Sequence, residues 1–151
     1  MATHGATVEW HSDGEFASNK YSRGHSWRFD GGAVVPASSA PAVVPVPLSD
    51  PAGVDPEEAL VASASACHML WFLHLARDAG FIVESYVDEA EGKIGRDDRG
   101  MMAMVSISLR PAIQFEGQVP DAAQLESLHH QAHEKCFIAN SLRTDIKVEP
   151  R

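Results

Sequence analysis

The chain has 151 residues, of which 22% are charged and 44% hydrophobic. That length suits one domain, or one domain with an arm, and buries a sufficient core without disulfide staples or a structural metal. A net charge of −9 argues against a nucleic-acid or anionic-membrane partner, either of which calls for a basic face.

The segment Met1–Trp10 has no basic start and no apolar stretch, so no secretory signal is expected. Two cysteines in a chain without a signal point to a reducing, cytoplasmic compartment. Residues 1–32 read as an N-terminal β arm. Ala6–Trp10 carries β-formers, Asp13-Gly14 is a turn signal, and Glu15–Tyr21 is expected to return as a hairpin strand. Ser26–Asp30 forms a further strand that ends at Gly31-Gly32. Residues 33–54 hold five of the nine prolines, a density that blocks helix and ladder alike, so an extended loop is expected there. A loop this long in a compact domain points to a functional or partner-covering role.

Residues 55–151 read as the core of a single domain. Asp55-Pro56-Glu57-Glu58 is a helix start: an N-cap, a proline at the first helical position, and two acids at the positive end of the dipole. The helix is expected to run toward Ala79, with Gly80 just past its end. Its stretch Ala59–Ala76 is free of charge but interrupted by Ser63, Ser65, His68 and His74. That pattern predicts a core helix buried on nearly all sides rather than a membrane span. Phe81–Ile94 fits one strand, Arg96–Gly100 a hairpin turn, and Met101–Ile113 an alternating strand. Pro120-Asp121 opens a second helix with the apolar stripe Leu125, Leu128, Ala132 and Cys136, and Thr144–Glu149 closes as a half-exposed strand. The order of strands, helix, hairpin, helix and strand predicts an α+β fold with antiparallel sheets around the long first helix.

Cys67 and Cys136 each fall on an apolar face of a helix. Taken singly, each reads as a small buried hydrophobe. Taken together, they are placed to meet where the two helices pack, and two thiols in contact make a redox pair. His129, His133 and Cys136 follow at spacings of four and three, which would let one helix face hold three metal ligands. His130 adjoins them, but no second cluster supplies a fourth ligand, so no metal is expected. Arg23, His25 and Arg28 lie in the N-terminal strands, where exposed strand polarity is the simplest explanation. No Gly-x-Ser-x-Gly elbow and no glycine-rich phosphate loop is present.

The stretch Asp55-Pro-Glu-Glu-Ala-Leu-Val-Ala-Ser-Ala-Ser-Ala-Cys67 resembles the hallmark of the OsmC/Ohr family, the osmotically inducible and organic hydroperoxide resistance proteins. That hallmark is Asn-Pro-Glu followed by a small-residue helix that reaches Ala-Ala-Cys ten positions after the Glu, the spacing from Glu57 to Cys67. Ala79-Gly-Phe81 resembles the family's Ala-Gly-Phe at the end of that helix, and Cys136-Phe-Ile-Ala-Asn-Ser-Leu142 resembles its second motif, a helix ending in Cys followed by a short apolar-polar run. The likeness covers about residues 55–149 and is loose before them. The chain departs from the family where Asp55 stands for Asn, His68 for the Phe after the first Cys, and Phe137 for the Pro after the second. The Pro-rich loop is an unusual insertion.

The resemblance implies a cysteine-based hydroperoxide reductase on an OsmC-like fold, assembled as an intertwined homodimer. Cys67 resembles the peroxidatic cysteine and Cys136 the resolving one. Glu57 resembles the acid that holds the catalytic arginine, for which Arg23 is favoured and Arg28 is the alternate. The partners implied are an organic hydroperoxide and a thiol or lipoyl-type reductant, with no bound cofactor.

Physical chemistry fits those roles. Thiolate is the nucleophile, and burial disfavours it. Cys67 lies about ten residues into its helix, too deep for the terminal dipole to help, so a guanidinium held by a carboxylate is called for. On one straight helix Glu57 and Cys67 stand about 15 Å apart along the axis. A second chain could supply what one helix cannot bring together. Cys136, at a helix end, is expected to have the freedom of a fraying terminus. Two other readings stand beside this one: a non-catalytic OsmC-like protein that binds a small apolar ligand, and a metal-binding protein that uses the histidines.

Overall fold

In the computed structural model, which describes residues 1–151, the chain forms two compact units, residues 1–59 and 60–151. The fold is α+β, with a long helix and antiparallel sheets.

The first unit is built on a three-stranded antiparallel sheet of β1 (Ala6–Glu9), β2 (His25–Phe29) and β3 (Val34–Ala37), in that order. Two expectations are corrected here. Glu15–Tyr21 does not return as a strand but forms a single 3-10 turn over Phe16–Ser18, closed by Asn19 at φ 58°. Phe16 and Tyr21 fold back onto Trp10, with ring centroids 5.0–5.8 Å apart, and this aromatic packing replaces a second ladder. Residues 33–54 are not loop throughout, because Val34–Ala37 pairs with β2. Pro36 is tolerated there because β3 is an edge strand, where the missing N–H costs no ladder bond.

The rest of the Pro-rich segment is pinned rather than loose. The Ser38 N–H donates to the Val54 carbonyl, the Val54 N–H donates to the Pro36 carbonyl, and the Asp50 N–H donates to the fully buried Ser38 Oγ at 2.9 Å. Gly53 makes this closure possible, since a Cβ at that position would stand 2.9 Å from the Ala37 carbonyl carbon.

The helix α1 (Pro56–Asp78) starts in the first unit with a capping box. Asp55 Oδ1 accepts from the Glu58 N–H at 2.7 Å, and Glu58 Oε2 accepts from the Asp55 N–H at 3.2 Å. Its remainder belongs to the second unit and ends before Gly80, at φ 87°. The sequence points to burial all round. Within the chain, however, only Ala64, His68, Phe72 and Ala76 are buried, one line at i, i+4 spacing, while Leu70 is 63% exposed. The reason is geometric: the elements of the second unit cover one stripe of the helix and no more.

That unit carries two cores. Phe72 and Ala76 of α1 pack with Phe81, Leu128 and Ala132, and Ala64 packs with Ile107 and Leu109. Phe81–Ile94 is two strands, β4 (Ile82–Asp88) and β5 (Glu91–Arg96). Met101–Ile113 divides likewise into β6 (Met102–Leu109) and β7 (Pro111–Glu116). One aspartate marks both breaks: Asp88 Oδ1 accepts from the Arg110 N–H, and its Oδ2 accepts from Ser65 Oγ of α1. β4 pairs with β7, while β5, β6 and the closing strand β8 (Asp145–Val148) form a second sheet in which β8 runs parallel to β6. The second helix, α2 (Ala122–Lys135), starts at Asp121 with its own capping box. A short α3 (Phe137–Ser141) follows directly.

Candidate active site

The two cysteines come together inside the second unit. Cys67 sits in the middle of α1 and is partly exposed, whereas Cys136 is 1% exposed. The Cys67 thiol is near enough to act on the Cys136 thiol, and neither cysteine is bridged. The stripe that carries Leu128, Ala132 and Cys136 turns α2 toward α1, so the apolar spacing in the sequence is what delivers the second thiol.

Cys136 is not at a frayed terminus, contrary to the expectation from sequence. It is the junction residue between α2 and α3, with φ −69° and ψ 110°, and its Sγ accepts from the Ala139 N–H at 3.3 Å as the cap of α3. Burial first, and then the neighbouring Cys67 thiol, push the Cys136 thiol up to about 11, while the Ala139 N–H works in the opposite direction. Cys136 therefore stays a thiol at neutral pH until it reacts.

The arginine candidates separate clearly. Arg28 lies on β2 and is committed to Glu9 of β1, Nη2 to Oε2 at 2.6 Å, in an exposed pair. Arg23 and Glu57 instead line one cavity of about 440 Å³ in the first unit, with the aromatic cluster of Trp10, Phe16 and Tyr21 as its apolar wall. They do not form an ion pair. The Arg23 guanidinium lies 3.7 Å over the Tyr21 ring and donates to the Tyr21 carbonyl at 2.5 Å and to Asn19 Oδ1 at 3.1 Å.

The backbone of Arg23 is held from both sides. Its N–H donates to the Leu48 carbonyl at 2.8 Å, so the Pro-rich segment grips it directly. Its carbonyl accepts from His25 Nδ1 at 2.8 Å, and His25 Nε2 accepts from the Trp27 indole at 2.9 Å. The indole has only a proton to offer, which fixes the proton of His25 on Nδ1. His25 and Trp27 thus position Arg23 through its main chain. Their alternation on β2 was the available sequence signal, but nothing in it ties them to an arginine.

The histidine cluster disperses. His129 is 5% exposed and turns inward, its Nδ1 3.0 Å from His68 Nε2, while His130 pairs with Glu134 on the surface at 3.5 Å. No group of three or more His, Cys, Asp or Glu side chains has a metal-binding arrangement. His68, 1% exposed, and His129 meet edge to edge with nearly parallel rings, centroids 5.3 Å apart. Burial, reinforced by the neighbouring His129 and His133 and opposed by Asp88, lowers His68 to about 4, and burial lowers His129 to about 4. Both are neutral at pH 7. This pair was missed in the sequence because its two members are 61 residues apart and each reads singly as helix polarity.

A sequence model of the OsmC-like proteins matches residues 49–151. A solved structure of an OsmC-like protein of unknown function from Vibrio cholerae is 48% identical, with full coverage of both chains and a TM-score of 0.97. The organic hydroperoxide resistance protein OhrB of Bacillus subtilis shares the fold at 18% identity, with a TM-score of 0.69 and coverage of 99% of this chain and 98% of its own. An organic hydroperoxide resistance protein OsmC from Legionella pneumophila does so at 16% identity and a TM-score of 0.64, covering 99% and 97%. No functionally curated protein matches the sequence.

Proposed function

The chain belongs to the OsmC-like family, and on that premise we propose that it is a cytoplasmic thiol-dependent peroxidase that reduces organic hydroperoxides. The observation that carries this reading is the thiol pair: a partly exposed Cys67 beside a fully buried Cys136 that stays protonated. An exposed thiol can be reached by a peroxide, and a buried one beside it can only react second.

In the first step the Cys67 thiolate attacks the terminal oxygen of R–O–O–H. The O–O bond breaks, Cys67 becomes a sulfenic acid, and the departing alkoxide takes up the proton that the thiol lost, leaving as the alcohol. In the second step Cys136 attacks the sulfenic sulfur, the S–O bond breaks, and water and a Cys67–Cys136 disulfide form. An external thiol or dithiol, a lipoyl-type reductant in this reading, then returns both cysteines to thiols and leaves oxidised. No bound cofactor enters the cycle.

Arg23 is the proposed guanidinium of the first step, stabilising thiolate and leaving alkoxide, with Glu57 as its carboxylate. Two facts favour Arg23 over Arg28: it shares a cavity with Glu57, and no carboxylate already neutralises it. The reading also includes a homodimer with shared sites. Support comes from α1, along which only Ala64, His68, Phe72 and Ala76 are buried within the chain while Leu70 is 63% exposed. A second copy that covers this helix would remove that exposed apolar surface from water.

The alternative is a non-catalytic protein that holds a small apolar ligand, favoured by the missing ion pair between Arg23 and Glu57. Turnover of an alkyl hydroperoxide with a dithiol reductant separates the two. The peroxidase reading expects sustained consumption by the wild type and a stall after one equivalent in Cys136→Ser. Absence of consumption by the wild type leaves only the ligand-binding reading.

A further inference from the structure

Trp71 stands one turn after Cys67 on α1, at the i, i+4 position, so the two side chains share a face of the helix. Its indole meets both chain neighbours of Cys136. The Lys135 ammonium lies over the ring, 5.6 Å from the centroid, and the Phe137 ring meets it edge to face, with centroids 5.9 Å apart and planes at 85°. Both arrangements are attractive ones for an aromatic ring. The indole is itself fixed, because it packs against the core of Phe72, Ala76 and Leu128 and meets the His74 ring at 5.8 Å.

These contacts fall where the chain needs support. Cys136 is the bend between α2 and α3. The Ala139 N–H holds its sulfur within α3 but does not tie α3 to α1. Two side chains do that: Ile138 packs on the core that contains Ala64, and Phe137 reaches Trp71. In the sequence of α1, Ala64 and Trp71 flank Cys67 on either side. Phe137 is 70% exposed, so burial does not account for an aromatic residue at this place, whereas the contact with Trp71 does.

Resolution of the sulfenic acid depends on such placement. The Cys136 sulfur attacks the sulfenic sulfur of Cys67, the S–S bond forms, the S–O bond breaks, and the Cys136 thiol proton leaves with the hydroxyl as water. The product tolerates a narrow geometry, with S–S about 2.05 Å and Cα atoms about 4.4–6.8 Å apart. Each contact that holds the two segments together raises the effective concentration of one thiol at the other.

We propose that Trp71 is a positioning residue for the resolution step: its indole, gripped by Lys135 and Phe137, holds the Cys136 segment beside Cys67. The inference rests on the thiol cycle proposed above and deepens it. Trp71 takes no part in the attack on the peroxide.

Two readouts on the full-length protein test it. The first is redox equilibrium with glutathione, in which the protein dithiol and glutathione disulfide exchange to the protein disulfide and two glutathione thiols. Its constant is the effective concentration of the Cys67–Cys136 pair, and it needs no peroxide. The second is rapid mixing with an alkyl hydroperoxide, which times sulfenic acid formation and disulfide formation separately. Phe137→Ala, at an exposed position, should lower the glutathione constant and the rate of disulfide formation by about fivefold, the scale of one ring contact, and leave Tm and the rate of sulfenic acid formation unchanged. Lys135→Met should lower the same two quantities by about threefold. Phe137→Tyr should restore both, and Phe137→Ala added to Trp71→Ala should cost nothing further, since the contact is already gone. An unchanged glutathione constant in Phe137→Ala overturns the proposal, as does equal slowing of both steps, a loss that Phe137→Tyr does not restore, or full additivity in the double variant. Failure of the peroxidase reading shows itself differently: no sulfenic acid forms in any variant, while the glutathione constants still separate as stated.

Discussion

The start and the middle of α1 are built on different physical terms. Around Cys67 the helix is clamped by packing: Ala64, His68, Phe72 and Ala76 are buried against two apolar cores, and the second thiol arrives on the matching stripe of α2. Around Glu57 there is little core. The cavity shared with Arg23 is walled by aromatics, and Arg23 is held there by hydrogen bonds from its N–H to the Leu48 carbonyl, from its guanidinium to the Tyr21 carbonyl and from the His25 ring to its own carbonyl. The proposed nucleophile thus sits on a rigid scaffold, and the proposed arginine on a clip of loops.

The largest expected effect isolates the region around Cys67. Cys67→Ser should abolish peroxide turnover, whereas Arg23→Ala should lower kcat/KM by roughly a hundredfold or more, the usual scale for one electrostatic contact in a transition state, and leave the Cys67–Cys136 pair able to form a disulfide with diamide. Steady-state kinetics with an alkyl hydroperoxide and thiol counting after diamide make the comparison. Equal loss of disulfide formation in both variants would erase the distinction between the two regions.

A pH series probes the same scaffold. His68 and His129 are lowered to about 4 in the folded protein, against about 6.5 when unfolded. Below pH 6.5 the unfolded chain takes up protons that the folded chain refuses. Stability is therefore full above about pH 6.5 and falls as the pH drops toward 4, by at most about 3 kcal/mol for each imidazole. Urea unfolding from pH 7.5 to 4.5 should show this loss, and the double variant His68→Leu/His129→Phe should flatten it. An unchanged slope in a folded double variant would remove the pair from the account of acid sensitivity.

Smaller effects separate core from clip. Gly92 lets β5 approach α1: a Cβ there would lie 2.6 Å from both Val61 Cγ2 and Met104 Sδ. Met104 can shift but the β-branched Val61 yields less, so Gly92→Ala should cost about 1–3 kcal/mol in chemical unfolding. In the clip, Ser38→Ala removes the acceptor of the Asp50 N–H and should cost about 1 kcal/mol, while peroxide turnover falls with the thiol pair untouched.

Most of the second unit was legible because its residues obey helical and strand periods. Pro56–Asp78 follows from Asp55-Pro56 and Gly80, Ala122–Lys135 from Asp121, and the meeting of the cysteines from the spacing of Leu128, Ala132 and Cys136. Where a single strand was expected, two formed, because Asp88 and the main chain of Arg110 tie the breaks together, a contact 22 residues apart that no local pattern announces. The arm was harder for the same reason. The turn at Phe16–Ser18 depends on aromatic packing with Trp10, and the Pro-rich segment depends on Ser38, Asp50 and Gly53 closing onto β3. Proline density told correctly against helix, yet it hid a short edge strand. The His68–His129 pair was illegible because its members come from two different helices.

The most direct test of the central claim is peptide mapping by mass spectrometry after one equivalent of an alkyl hydroperoxide in the absence of reductant. The account predicts a single Cys67–Cys136 disulfide within one chain in the wild type, and a Cys67 sulfenic acid in Cys136→Ser that advances to sulfinic acid under excess peroxide. Both thiols recovered free and unmodified, or a bridge linking two chains in place of one, would contradict it.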